Sequence, residues 1–155
     1  MPSKPKILLV DDEERFRRTT AKLLKVNGLD VFTAGSGREA IQEVGTRSYD
    51  VIILDVRMPG MSGTEALKEI KKINPAVEVI MLTGHASVDM AFEIMKLGAF
   101  DYLFKPCSIE ELMDKIDRAY ERKITREKTL PGAEPAPGPA GAVLQSSSRL
   151  TSGGG

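Results

Sequence analysis

Apolar runs in this chain end on polar residues of unlike kinds. Lys6-Ile7-Leu8-Leu9-Val10 stops at Asp11-Asp12, and Val51-Ile52-Ile53-Leu54 stops at Asp55. Val77-Glu78-Val79-Ile80-Met81-Leu82 stops at Thr83-Gly84, and Asp101-Tyr102-Leu103-Phe104 stops at Lys105-Pro106. Runs this short and rich in β-branched residues read as buried strands, as does Asp30–Ala34. The longer stretches between them carry helical spacing and predict helices over Glu13–Asn27, Gly37–Thr46, Gly63–Ile73, Val88–Leu97 and Ile109–Arg126, the first and fourth closed by Gly28 and Gly98. Ser36 with Glu39, Ser62 with Glu65 and Ser108 with Glu111 fit the capping box, in which the two side chains satisfy free backbone amides reciprocally. Ile109, Leu112, Met113, Ile116, Ala119 and Tyr120 form an apolar stripe on the last helix, which marks the face it packs on the core.

Strands alternating with helices predict a parallel α/β sheet, whose strands all present their carboxyl ends at one edge. Ligands bind such sheets at that edge. Asp11, Asp12, Asp55, Thr83 and Lys105 therefore converge there although they lie far apart in the chain. Neighbouring carboxylates repel one another and either raise each other's pKa or hold a cation. A hard divalent ion, Mg2+ above all, suits an all-oxygen donor set. Protonated Lys105 cannot join a metal shell and calls for an anion of its own, while Thr83 offers a donor and Gly84 keeps the approach open. A metal, an ammonium and a hydroxyl around one carboxylate are what a phosphoryl group on that carboxylate requires.

With these residues in this order, the stretch from Lys6 to about Lys123 resembles the receiver domain of two-component response regulators. The Asp11-Asp12 pair, Asp55 followed by Met58-Pro59-Gly60 and Gly63, Thr83-Gly84 and Lys105-Pro106 carry the resemblance. It implies a flavodoxin-like, three-layer (βα)5 fold with a five-stranded parallel sheet in the order 2-1-3-4-5. It implies that Asp55 accepts a phosphoryl group from a phosphohistidine on a sensor histidine kinase or phosphotransfer protein. Asp12 is expected to ligate Mg2+ directly and Asp11 mainly through water, with Asp55 and the backbone carbonyl of Arg57 completing the protein's share. Lys105 is expected to pair with the phosphoryl group and Thr83 to hydrogen-bond it on activation, while Tyr102 turns inward. The Lys105–Pro106 bond is expected to be cis. The surface of the fourth helix, fifth strand and last helix then changes shape, to control a downstream partner or effector and to favour a homodimer. The segment from Gly84 to Pro106 also resembles receivers that precede enhancer-binding transcriptional activators.

Taken singly, each of these residues has a plainer reading. Asp11 and Asp12 suit helix N-capping, Thr83 a turn, Lys105 a snorkelling surface lysine and Tyr102 a half-buried strand position. Arg15, Arg17, Arg18, Lys22 and Lys25 make the first helix basic, which fits a solvated face as well as a kinase-docking one. His85, the only histidine, has no cluster of metal ligands around it, and Cys107 is a small packed side chain.

Composition narrows the class further. Lys and Arg total 22 and so do Asp and Glu, so net charge gives no drive toward nucleic acid or membranes. One cysteine excludes an intrachain disulfide and fits a reducing, cytoplasmic setting, and no apolar stretch is long enough to span a membrane. The receiver is expected over residues 4–128, with residues 129–155, rich in Pro, Gly, Ala and Ser, as a disordered tail or linker. Two other classes fit less well. A Mg2+-dependent phosphatase with an aspartyl nucleophile needs a second aspartate two residues on, where Arg57 stands. A flavin-binding module needs a phosphate-cradling first loop, and Asp11-Asp12-Glu13-Glu14 repels phosphate.

Overall fold

The computed structural model describes residues 4–84 and 87–129. Its elements alternate throughout: β1 (Lys6–Val10), α1 (Glu14–Val26), β2 (Asp30–Ala34), α2 (Gly37–Thr46), β3 (Val51–Asp55), α3 (Gly63–Ile73), β4 (Glu78–Thr83), α4 (Val88–Lys96), β5 (Asp101–Phe104) and α5 (Ile109–Thr129). The sheet is parallel throughout, in the order β2-β1-β3-β4-β5. This is the expected flavodoxin-like α/β fold. Residues through Lys123 form one compact unit, and residues from Ile124 form a second, of which only the end of α5 is described. The expected tail beyond Thr129 and the loop residue His85 lie outside the described residues.

Strand periodicity divides the core into two layers. Leu8, Val10, Ile52, Leu54, Val79 and Met81 face one side and pack with Ala40, Val44, Leu67, Ile70 and Ile94 of α2, α3 and α4. Ile7, Leu9, Val51, Ile53, Ile80 and Leu82 face the other and pack with Ala21, Leu24, Leu112, Ile116 and Ala119 of α1 and α5. Burying each of these larger aliphatic side chains contributes about 1.5–3 kcal/mol, which holds the sheet between its two helical layers.

The helix ends follow their local chemistry. Ser62–Glu65 and Ser108–Glu111 make the complete reciprocal box. At α2, Ser36 accepts from the Glu39 amide, but the Glu39 carboxylate reaches back to the Gly35 amide instead. Gly28 and Gly98 follow α1 and α4 with φ of 92° and 100°, conformations that β-carbons disfavour. The expected capping role of Asp12 is not taken: Glu13 occupies the N-cap of α1 without a side-chain bond, and Asp11 Oδ1 accepts from the Glu13 amide at 2.9 Å.

Two strand limits extend past the apolar runs. Asp55 lies within β3, paired with Leu82, and Thr83 lies within β4, paired with Phe104. The ladder is a backbone property, so it continues one residue into the polar positions. The opposite edge holds a charged residue the apolar pattern conceals. Glu78 is fully buried at the start of β4 and pairs with Arg122 of α5 at 3.0 Å.

Candidate functional site

The strand order reverses direction between β1 and β3, and that switch point is where a crevice opens at the carboxyl ends. Val10 and Leu54 are register partners, so Asp11 and Asp55 follow as lateral neighbours. Ligand oxygens of Asp11, Asp12 and Asp55 lie within 4.8 Å of one another. Asp11 is 1% exposed and Asp55 7%, whereas Asp12 faces solvent. Two carboxylates set into the protein with a third at the mouth form an acidic pocket open on one side.

Lys105 reaches this pocket from the end of β5. Its Nζ lies 2.7 Å from Asp11 Oδ2 and 3.8 Å from Asp55 Oδ1. The Lys105 amide donates to the Thr83 carbonyl at 2.7 Å, and the Lys105–Pro106 peptide is cis. Thr83 is buried one residue beyond Leu82, the register partner of Asp55. Arg57 is exposed in the loop after β3, two residues beyond Asp55.

The electrostatics single out Asp55. Burial, reinforced by the charge on Asp11, pushes its pKa from 3.8 up to about 6, against the opposing pull of Lys105 and the Arg57 amide. The lone ammonium does not compensate the cluster. Oxygen donors alone, an excess of negative charge and an open side make a set that a hard divalent cation fits.

Tyr102 lies apart from the carboxylates. It is half-buried in β5, its ring centroid 5.5 Å from that of Phe104, and it lines a cleft with Val88, Ala91, Phe92 and Met95 of α4. On this side Val88 is 86% exposed and Phe92 68%, with Met95 and Phe104 also exposed.

Two residues of α1 join the site without belonging to any motif. Arg17 Nη1 donates to the Asp11 carbonyl at 2.7 Å, so it is half-buried instead of sharing the solvated basic face. The Phe16 ring centroid lies 4.3 Å from Lys105 Nζ. A signal for Phe16 exists in the sequence: it is the one apolar residue in Glu13-Glu14-Arg15-Phe16-Arg17-Arg18, and it falls four and eight residues before the buried Thr20 and Leu24.

This fold and this acidic crevice define a phosphoacceptor domain of the two-component type. Residues 7–117 match the model of the response regulator receiver domain, and the chain belongs to that family. It is 42% identical over 113 residues to the transcriptional regulatory protein ZraR of Escherichia coli O157:H7, which is 73% of this chain and 26% of that one. A response regulator receiver domain from Clostridium thermocellum superposes with a TM-score of 0.74 at 42% identity, covering 78% of this chain and 98% of that one. A CheY-like receiver from Methanospirillum hungatei gives a TM-score of 0.77 at 28% identity, covering 80% and 99%. The chain spans about a quarter of the length of the curated relatives it matches. Receiver domains are phosphoacceptor switches and generally bind Mg2+ at an acidic pocket, and Asp11, Asp12 and Asp55 form such a pocket here. No described helix is long and apolar enough to cross a membrane.

Proposed function

We propose that this chain is a cytoplasmic receiver that takes a phosphoryl group onto Asp55 from a phosphohistidine of a sensor kinase or phosphotransfer protein. The observation that carries the reading is the meeting of Asp11, Asp12, Asp55 and Lys105 in one crevice. In the transfer the P–N bond of the donor breaks as a P–O bond to Asp55 forms, and the donor imidazole, protonated on its other ring nitrogen, leaves neutral. Water later cleaves that bond and returns the carboxylate. The chain thus catalyses only its own phosphorylation and slow dephosphorylation.

Asp12, Asp55 and the Arg57 carbonyl would hold Mg2+, which would neutralise the carboxylates and the incoming phosphoryl charge. Asp11 would act mainly through water. Its occupancy supports this: Oδ1 accepts from the Glu13 amide and Oδ2 from Lys105. Lys105 pairs with the phosphoryl oxygens, for which its 3.8 Å separation from Asp55 Oδ1 leaves room. Thr83 donates its hydroxyl to the same group, and its movement lets Tyr102 turn inward against α4.

The α4–β5–α5 surface then controls a downstream partner or effector and favours a homodimer. The exposed Val88, Phe92, Met95 and Phe104 support that role, because apolar side chains grouped on one face gain by being covered. Sedimentation of the protein with Mg2+, with and without beryllofluoride as a phosphoryl mimic, tests it. The expected result is a monomer that shifts toward a dimer only with beryllofluoride, and Asp12→Ala removing the response. The same mass in both conditions contradicts the dimer, and a response retained by Asp12→Ala contradicts the metal assignment.

A further inference from the structure

Lys105 has more neighbours than its two carboxylates. Its ammonium lies over the face of Phe16, 4.3 Å from the ring centroid, while bonded to Asp11 Oδ2 at 2.7 Å. Phe16 is half-buried and packs against the α1–α5 layer of the core, which restricts where its ring can lie. A lysine head on a four-carbon stem has many rotamers, and confining it costs entropy. A ring face attracts a cation without claiming any of its N–H donors. Such a face keeps the ammonium in place while its hydrogen bonds are redistributed.

We propose that Phe16 is a positioning residue for Lys105: its ring holds the ammonium in the crevice as the hydrogen bonds pass from Asp11 to the phosphoryl oxygens on Asp55. The proposal rests on the reading that Lys105 pairs with the phosphoryl group. During transfer the donor–phosphorus bond breaks, the bond to Asp55 forms, and charge spreads over the equatorial oxygens, where a preplaced ammonium lowers the barrier. Without the ring face the ammonium is free to turn toward solvent, and the saturated rate falls while donor binding is little changed.

The test is the rate of phosphorylation of the full chain by acetyl phosphate with Mg2+, followed by intact mass across donor concentrations. Wild type, Phe16→Leu, Phe16→Tyr, Lys105→Ala and the Phe16→Leu/Lys105→Ala double variant are compared, with Phe16→Met as a second non-aromatic replacement. Phe16→Leu is expected to lower the saturated rate about three- to tenfold with a similar half-saturating concentration. Phe16→Tyr, which keeps the ring face, stays near wild type. In the Lys105→Ala background the Phe16→Leu change has no further effect. An equal fall in both backgrounds, or a tyrosine variant as slow as leucine, overturns the proposal, because Phe16 then acts by packing alone. Lys105→Ala slow with Phe16→Leu and Phe16→Met at the wild-type rate overturns the role of Phe16 only. Lys105→Ala at the wild-type rate overturns the role of Lys105 and the proposal with it.

Discussion

Gly63→Ala is expected to cost about 3 kcal/mol or more of stability and to abolish phosphoryl uptake. A β-carbon at this first position of α3 would overlap the carbonyl oxygen of Asp55 and lie 2.8 Å from Val56 Cα and 2.9 Å from the Asp55 carbonyl carbon. All three atoms are backbone, so no side chain can swing aside. The Gly63 amide also donates to the Val56 carbonyl at 2.8 Å, which ties the start of α3 to the end of β3. Relief therefore requires moving the strand end that presents Asp55. Stability and function fall together because one contact sets both. Urea unfolding in EDTA measures the first and phosphoprotein yield the second. Gly45→Ala in α2 is the control, since a β-carbon there meets nothing within 4 Å. That change is expected to leave stability unchanged or raise it by up to about 1 kcal/mol, as alanine is the better helix former.

In EDTA at neutral pH, Asp55→Asn is expected to be more stable than wild type by about 2–3 kcal/mol. The Asp55 pKa is raised from 3.8 to about 6, by burial first and by Asp11 second. The folded protein therefore holds this proton more tightly than the unfolded chain does. The resulting stability is fully present below pH 3.8 and is lost as pH rises through about 6. Above that, ionised Asp55 opposes folding, and a neutral amide of the same shape does not. Urea unfolding between pH 4 and 8 is expected to show wild type weakening through this window while Asp55→Asn changes less. Adding Mg2+ narrows the gap, because a ligand that binds only the folded state stabilises it. An Asp55→Asn protein less stable than wild type in EDTA at neutral pH contradicts this electrostatic account.

Much of this architecture is legible in the chain because single residues carry unambiguous physics. Apolar runs such as Ile52-Ile53-Leu54 cannot be exposed, and the glutamates three residues after Ser62 and Ser108 mark helix starts. The crevice is legible for a related reason. A carboxylate at the end of a buried strand is costly without a partner, so Asp11 and Asp55 stand out before their grouping within 4.8 Å is known.

What the pattern hides depends on contacts between distant segments. Glu78, within an apolar run, is tolerated at zero exposure beside Arg122 of α5, far along the chain. Arg17 looks like one more basic residue of α1 until the fold brings it to the Asp11 carbonyl. Nothing in the local sequence of Phe16 points to Lys105, which lies over its ring only once the fold brings the end of β5 to α1. Strand ends at Asp55 and Thr83 shift because ladder hydrogen bonds do not depend on side-chain polarity.

The central claim is that Asp55 is the phosphoacceptor. Its most direct test is an intact-mass spectrum after incubation with acetyl phosphate and Mg2+, wild type beside Asp55→Ala. The account predicts that wild type gains the mass of one phosphoryl group and that Asp55→Ala gains none. A folded wild type that gains nothing, or an Asp55→Ala protein that gains the same mass, contradicts it.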